Sequence, residues 1–261
     1  MPATTFSRLW DRLLSEGVVS ITASELAGRA NASAEATFRA VHDAKAAGLL
    51  FSPAKGLYVL VPPYYRSWGT VPADWYVDDM MRHMGRKYYV SFLTAAARHG
   101  ASHQASQLFQ VVVDAKTRDR DIGGVRLRFY RSAAIDSRPT QQVIASTGPL
   151  TVATPETCLL DLAERPNVGG GLNVILEVVP ELRIRSDALV VAASERPRAV
   201  VRRCGWILSR THPSLKLAGL RELAAPDLHN PTPLLPTADW GPGKTDADWG
   251  ILVNTLAVGG A

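Results

Sequence analysis

The sequence predicts an α+β protein with two domains, and three observations support this fold class. Residues 1–61 alternate helical periodicity with turn signals in the order helix, strand, helix, helix, hairpin. Runs rich in β-branched residues concentrate between about residues 86 and 165, and helical segments dominate from 166 to 261. With 261 residues, 46% of them hydrophobic, the chain can build one small and one larger domain, each with its own core.

A short amphipathic helix is predicted at the amino end. Its apolar residues recur at i, i+3, i+4, i+7 and i+8. They are Phe6, Leu9, Trp10, Leu13 and Leu14. Gly17 follows where a left-handed cap ends such a helix, and the β-branched run 18–21 predicts a short strand.

Two further helices follow, each with its own start signal. Thr22 and Glu25 have the spacing of a capping box, which predicts a second helix that ends near Ala30. After a turn at Asn31, Ser33 is predicted to be the N-cap of a third helix. The inward side of that helix is predicted to consist of Thr37, Ala40, Val41, Ala44 and Gly48.

A β-hairpin is predicted after the third helix. The apolar runs 49–51 and 57–61 flank the segment 52–56, which is rich in turn-forming residues. A helix, a strand, two helices and a hairpin in this order are the arrangement of a winged helix-turn-helix, with the hairpin as the wing. We therefore predict that residues 1–61 form a DNA-binding domain.

The side of the third helix opposite its apolar stripe carries side chains that can read DNA bases. At about 100° per residue, Glu35, Arg39 and His42 lie on this side, with Phe38 and Lys45 at its flanks. Arginine can donate a fork to guanine, histidine can donate or accept, and glutamate can accept from cytosine. We predict that the first three residues read bases. Because ordinary exposed helices carry the same residue types, a winged-helix adaptor that binds protein is the alternative.

Further residues around the third helix are predicted to contact DNA phosphates, which position a protein without reading sequence. They are Arg8, Arg12, Arg29, Ser33, Lys45 and Lys55. Residues 1–65 nevertheless hold six basic and five acidic residues, a balance of +1. The phosphate affinity of this domain alone should therefore be modest.

The chain has a net charge of +5, and its basic surplus lies in a later segment. Residues 82–138 hold eleven basic and four acidic residues, a balance of +7, which suits a polyanionic partner. This segment is a possible second DNA surface, with the alternative that its arginines occupy the outward positions of an ordinary strand. The residues assigned to the surface are Arg82, Arg86, Lys87, Arg118, Arg120, Arg126, Arg128 and Arg131.

Residues 62–261 predict a larger mixed α+β domain, with a sheet part over about 86–165 and a helical part over about 166–261. A stiff aromatic connector, 62–69, joins it to the first domain. Helices are predicted over 74–85, 89–99, 155–163, 172–179, 187–193 and 198–208. Strands are predicted over 108–113, 125–130, 142–145 and 150–153, with a turn at 119–124. We expect a mainly antiparallel sheet that contains a meander, and extended structure over 226–236 and 248–254.

The two cysteines indicate neither a metal site nor a disulfide. Cys158 and Cys204 fall in predicted helices without a second cysteine or histidine at ligand spacing. The longest apolar run is far shorter than the roughly 18 residues of a transmembrane helix. We expect a soluble, cytoplasmic protein without a cofactor.

One pattern offers an enzymatic alternative. Asp114 and Lys116 at the end of a predicted strand match half of a Mg²⁺-dependent nuclease site, in which the acid holds the metal and the lysine steadies the phosphate. The second acid would have to be Asp74, Asp78 or Asp79, and nothing in the sequence selects one. Because a strand-end cap explains Asp114 more simply, we predict no enzymatic activity.

Several stretches of the larger domain resemble the AbiEi family of antitoxins. They are Tyr-Tyr-Val-Ser-Phe-Leu-Thr-Ala-Ala-Ala-Arg-His-Gly at 88–100, the strand at 111–114, Ala-Thr-Pro-Glu-Thr-Cys-Leu-Leu-Asp-Leu at 153–162, Pro-Thr-Pro-Leu at 231–234 and Trp-Gly-Ile-Leu-Val-Asn at 249–254. The order of a winged helix before this domain is also similar.

The resemblance implies the antitoxin of a type IV toxin–antitoxin system, linked to abortive infection and phage resistance. It implies that the winged helix binds double-stranded DNA at inverted repeats in its own promoter and acts as a transcriptional repressor. It further implies that the C-terminal domain neutralises a nucleotidyltransferase-like toxin without a stable complex being required. In such proteins positive charge on the C-terminal domain also takes part in DNA binding.

Overall fold

The computed structural model describes residues 3–101, 107–238 and 243–255, and the chain forms two compact units. Unit 1 comprises Met1–Tyr89, Ser106–Ile135 and Gln142–Thr151. Unit 2 comprises Val90–Ala105, Asp136–Gln141 and Val152–Ala261. This division differs from the predicted boundary after residue 61, because unit 1 also takes in the connector and most of a β-sheet.

The amino-terminal part of unit 1 contains three helices and three strands. They are α1 (Ala3–Ser15), β1 (Ser20–Thr22), α2 (Ala23–Ala30), α3 (Ala34–Ala46), β2 (Leu50–Ala54) and β3 (Leu57–Leu60). The strands form an antiparallel sheet in the order β1-β3-β2, with Ile21 opposite Tyr58 and Phe51 opposite Val59. The predicted helices and hairpin are present. The hairpin turn is shorter than predicted, because β2 continues to Ala54 and leaves only Lys55 and Gly56 to turn the chain.

A hydrophobic core lies between these helices and the sheet. The buried residues of α1 are the predicted Phe6, Leu9, Trp10 and Leu13. Leu26 of α2, Val41 and Ala44 of α3 and Leu60 of β3 complete the cluster. Burial of each large apolar side chain contributes about 1.5–3 kcal/mol relative to exposure, so this core fixes the orientation of α3.

Local hydrogen bonds set the starts of α2 and α3. Thr22 Oγ1 accepts from the backbone N–H of Glu25 at 3.2 Å, and the Glu25 carboxylate accepts from the backbone N–H of Thr22 at 2.8 Å. Ser33 Oγ accepts from the N–H of Ala36 at 3.2 Å. Between them Asn31 takes the left-handed conformation, with φ 46°, and ends α2. The predicted capping box and N-cap are therefore confirmed.

The chain then enters a mixed six-stranded sheet. Short 3₁₀ helices at Pro63–Trp68 and Ala73–Trp75 lead to α4 (Val77–His83). The strands are β4 (Tyr88–Val90), β5 (Leu108–Val113), β6 (Arg120–Ile122), β7 (Val125–Arg131), β8 (Thr140–Ala145) and β9 (Gly148–Ala153). Their order is β6-β7-β5-β4-β9-β8. Most of this sheet belongs to unit 1.

The predicted antiparallel meander is wrong. β5 and β7 run parallel, in register from Leu108 opposite Arg126 to Val113 opposite Arg131, and β6 is the antiparallel neighbour of β7. The predicted turn over 119–124 is therefore a strand at Arg120–Ile122 with a turn only at the following glycines. The predicted helix over 89–99 also starts too early. Its first residues form β4, because aromatic and β-branched side chains favour extended backbone.

Unit 2 is mainly helical. Its helices are α5 (Phe92–Arg98), α6 (Pro155–Glu164), α7 (Leu172–Val178), α8 (Ser186–Ala193), α9 (Arg198–Thr211) and α10 (Ala218–Ala224). Every residue of α6 from Glu156 to Ala163 is buried, as is every residue of α9 from Val200 to Leu208. These two helices form its centre. The predicted helices are present, and α10 was not predicted.

The carboxyl-terminal tail adds a small sheet to unit 2. β10 (Thr232–Pro233) pairs parallel with β12 (Ile251–Val253), and β11 (Lys244–Asp246) pairs antiparallel with β12. Trp249, just before β12, packs directly onto the backbone of Gly205 in α9. In the described part of the chain, every helix is too short or too polar to cross a lipid bilayer.

Candidate nucleic-acid interface

The three predicted base-reading residues lie together on the exposed side of α3. The side chains of Glu35, Arg39 and His42 are 81%, 70% and 76% exposed. Thr37 and Val41, on the opposite side of the helix, are buried. Arg39 Nη2 donates to Glu35 Oε1 at 3.2 Å. Because an ion pair this exposed contributes little to stability, Arg39 can exchange the carboxylate for another acceptor at small cost.

Three of the predicted phosphate-binding residues lie close to α3 or at the hairpin. Ser33 caps the first turn of α3 and is exposed. Lys45 Nζ lies 5.4 Å from the centre of the Tyr58 ring, which places the last turn of α3 beside β3. Lys55 is exposed in the hairpin turn. The hairpin turn and the exposed side of α3 therefore each present a basic side chain to solvent.

The other predicted phosphate-binding residues lie on α1 and α2. Arg8 is exposed. Arg12 Nε and Arg29 Nη1 both donate to Glu16, at 2.7 and 2.6 Å. These hydrogen bonds, that of Arg12 first, hold the pKa of Glu16 below its usual range. Glu16 thus joins α1 to α2 and neutralises one of the two arginine charges.

The hairpin and β1 are attached to the chain that follows them in unit 1. The Lys55 carbonyl lies 2.9 Å from His83 Nε2 of α4, within hydrogen-bond distance. Ser20 Oγ of β1 donates to the Asp79 carboxylate of α4. The Phe51 ring of β2 packs edge-on against Tyr76, with 5.2 Å between centroids. These contacts hold the three-stranded sheet and its hairpin turn against α4 and the residue before it.

The basic residues of the predicted second surface are divided between the two faces of the sheet. Side chains alternate along β7, so Arg126 and Arg128 project from the face opposite to that of Leu127. Arg120 lies on the Leu127 face, with its guanidinium 5.7 Å from the Phe129 ring. Burial lowers the pKa of Arg120. Arg131 falls on this second face by the same alternation.

Acidic residues neutralise part of the second surface. Arg128 Nη1 donates to Asp121 at 2.6 Å, which lowers the pKa of the Asp121 carboxyl. Arg82 contacts both Asp78 and Asp79. Arg86 is half-buried. The exposed members of the surface are Arg82, Lys87, Arg118, Arg126 and Arg131.

The residues of the nuclease alternative do not gather into a metal site. Asp114 follows β5, one of its carboxylate oxygens is buried, and Lys116 is exposed. Asp78 accepts from Tyr88 as well as Arg82, so its carboxylate is already occupied. Among residues 3–101, 107–238 and 243–255, no three acidic, histidine or cysteine side chains lie close enough to hold a metal ion.

Two solved structures align with parts of this chain. The crystal structure of the RV2827C protein from Mycobacterium tuberculosis aligns with a TM-score of 0.70 and 19% identity, over 95% of this chain and 91% of that one. At this identity the likeness concerns the fold alone. An antigenic nucleotidyltransferase-like protein from Paracoccidioides brasiliensis aligns with a TM-score of 0.35 and 10% identity, over 56% of this chain and 88% of that one. No curated protein sequence matches the chain.

A family comparison identifies a central segment of the chain. Residues 89–210 match the AbiEi antitoxin C-terminal domain. This segment starts in β4 and ends within α9. It contains nearly all of 88–100, and all of 111–114 and 153–162, whereas the similar stretches 231–234 and 249–254 lie beyond it. The resemblance is therefore confirmed for residues 89–210, which match the AbiEi antitoxin C-terminal domain.

Proposed function

We propose that this protein is the antitoxin of a type IV toxin–antitoxin system and a DNA-binding repressor of its own operon. The match of residues 89–210 to the AbiEi antitoxin C-terminal domain supports the antitoxin part. The DNA-binding part is assigned to a winged helix-turn-helix over residues 1–61. The observation that carries this assignment is the joint exposure of Glu35, Arg39 and His42 on α3.

The surroundings of α3 support its role as the recognition helix. Such a helix needs a rigid attachment on one side and a free surface on the other. Val41 and Ala44 pack into the core with α1 and α2, which provides the attachment. The Ser33 cap fixes the first turn, and the amino-terminal half of a recognition helix is the part that enters the major groove.

Charge supports a second contact with the duplex. Residues 1–65 carry a balance of only +1, so α3 and the hairpin alone would bind phosphates weakly. The exposed residues Lys87, Arg118, Arg126 and Arg131 belong to the same compact unit as α3. We propose that some of them add phosphate contacts, and that pairing on inverted repeats supplies the remaining affinity.

A mobility-shift titration on the upstream region of the gene tests DNA binding. We expect the full chain to prefer this duplex over a shuffled one of equal composition. Arg39→Ala should relax the preference, and Lys55→Ala should weaken binding to both duplexes and reduce the salt slope by about 1. Lys216→Ala, which removes an exposed charge in unit 2, is the matched control and should change neither.

Other results would favour the alternatives. Equal binding of both duplexes would refute sequence reading, and no binding of either duplex would favour the protein-binding adaptor. Mg²⁺-dependent cleavage that Asp114→Ala abolishes would favour the nuclease.

The antitoxin role is tested by co-expression with the adjacent gene. We propose that the C-terminal domain neutralises a nucleotidyltransferase-like toxin without forming a stable complex. The full chain should restore growth of cells that express this toxin from an unrelated promoter. Arg39→Ala should restore growth equally well, because it leaves the matched domain unchanged. Failure of the wild-type chain to restore growth would contradict the proposal.

A further inference from the structure

Phe38 is an exposed aromatic residue on α3. It is 70% exposed, although the other large apolar side chain of the helix, Val41, is 4% exposed. It lies in the second turn of the helix, three residues after Glu35 and four before His42. A phenyl ring left in water forgoes much of the free energy that burial would provide, so a contact outside the free protein would stabilise it.

The position of Lys45 shows which flank of α3 carries Phe38. Seven residues are close to two helical turns, so the two side chains point in nearly the same direction, about 10 Å apart along the axis. Lys45 lies against the Tyr58 ring of β3. Phe38 is therefore on the hairpin side of α3, next to the exposed ring of His42.

The composition around Phe38 argues against a protein-docking patch. Protein interfaces bury a cluster of apolar and aromatic residues at their centre. On the exposed side of α3, Phe38 is the one large apolar residue between Ala34 and Ala46, and its neighbours are Glu35, Arg39, His42 and Lys45. A single apolar group among hydrogen-bonding groups matches the major-groove edge of an A·T pair, which presents one methyl beside donors and acceptors.

We propose that Phe38 contacts the C5-methyl of a thymine in the major groove, adjacent to the bases that Arg39 and His42 read. This inference rests on the proposed DNA-binding function and adds a specificity to it. The ring cannot form the hydrogen bonds of a base reader, but it can shield the methyl from water. Phe38 therefore distinguishes thymine from bases without that methyl.

Replacement of thymine by uracil tests the contact, because it removes only the methyl group. Each thymine in the shortest upstream duplex that the wild type binds is replaced in turn, and dissociation constants are measured for the wild type and Phe38→Ala. At one or two positions the wild type should lose about 4-fold in affinity, which corresponds to one apolar carbon returned to water. Phe38→Ala should bind thymine and uracil duplexes equally at those positions. Phe38→Leu should retain part of the discrimination.

Two controls separate this inference from the proposed function. Val191→Ala removes an exposed apolar side chain in unit 2 and should leave the discrimination unchanged. Circular dichroism and the thermal midpoint should be the same for Phe38→Ala and the wild type, because the side chain is exposed.

If the wild type prefers the upstream duplex but no thymine position depends on Phe38, this inference is overturned and the proposed function stands. If the wild type shows no preference among duplexes, both are overturned.

Discussion

Arg196 and Asp161 form a buried ion pair, with 2.7 Å between Nη2 and Oδ1 and side chains only 1% and 5% exposed. Arg196 Nη1 also donates to Glu164 at 2.7 Å, and Ser91 Oγ donates to the second oxygen of Asp161. The pair thus connects the segment after α8 to α6 and to the residue before α5. All four residues lie within the segment that matches the antitoxin domain.

Loss of Arg196 should destabilise unit 2 strongly. Arg196→Ala leaves the Asp161 carboxylate buried without its partner charge, and removal of one partner from a buried pair costs about 3–5 kcal/mol. Urea unfolding followed by circular dichroism measures the loss. The matched control is Arg185→Ala, whose pair with Asp187 is 73% and 70% exposed and should contribute far less. Equal losses in the two variants would show that burial of the pair does not determine its contribution.

Gly205 should not tolerate a side chain. A Cβ at this position would lie 2.1 Å from the Trp249 indole, so either the indole or α9 would have to move. We expect Gly205→Ala to lower the free energy of unfolding by about 1–3 kcal/mol, although alanine favours helix. Gly28→Ala in α2 is the control, because a Cβ there has no atom within 4 Å. It should raise stability by about 0.5–1 kcal/mol, and a loss there would contradict the packing argument.

The sequence predicts the elements of residues 1–61 well because their signals are local. The capping box of Thr22 and Glu25 lies within one turn, and helical periodicity alone directs Arg39 and His42 away from the core. The ion pairs of Glu16 could not be predicted in the same way. They connect α1 to α2 and depend on how those helices pack.

The relative direction of neighbouring strands in the six-stranded sheet is harder to predict, because the residue pattern within one strand does not encode it. The pattern of β7 shows which side chains share a face, but it fits a parallel or an antiparallel neighbour equally well. The insertion of β6 decides the direction. Similarly, Ser91 could be recognised as a residue near a helix start, whereas its bond to Asp161 spans 70 positions and has no local signal.

Both thiols should be unreactive in the folded protein. Cys158 and Cys204 are fully buried, and burial raises the pKa of each thiol, so the reactive thiolate is scarce at neutral pH. Titration with a chromogenic disulfide reagent should detect almost no thiol in native protein and two per chain in denaturant. Rapid reaction of the native protein would show that α6 or α9 opens locally. Fewer than two thiols per chain in denaturant would contradict the free state of both cysteines.

The capping box of α2 should make stability depend on pH under acidic conditions. The Thr22 backbone N–H, and then its hydroxyl, lower the pKa of Glu25 from its ordinary value of 4.5. Because the folded pKa is the lower one, the stabilisation is present above 4.5 and is lost as pH falls through the folded value. Glu25→Gln keeps an acceptor that does not titrate. The difference in unfolding free energy between wild type and Glu25→Gln should be constant above pH 5 and should change only below 4.5. A constant difference down to pH 2.5 would contradict the assignment.

Glu16 should restrain DNA binding if Arg12 and Arg29 contact phosphates. Glu16→Gln removes the charge that both guanidiniums share, so each becomes available to a phosphate oxygen. We expect tighter binding to the upstream duplex and to a shuffled duplex alike, with the slope of log affinity against log salt steeper by about 1. Glu177→Gln, an exposed acid on α7, makes the same change in net charge and should leave the slope unchanged. If both variants steepen the slope equally, the gain reflects net charge alone, and Arg12 and Arg29 lie outside the interface.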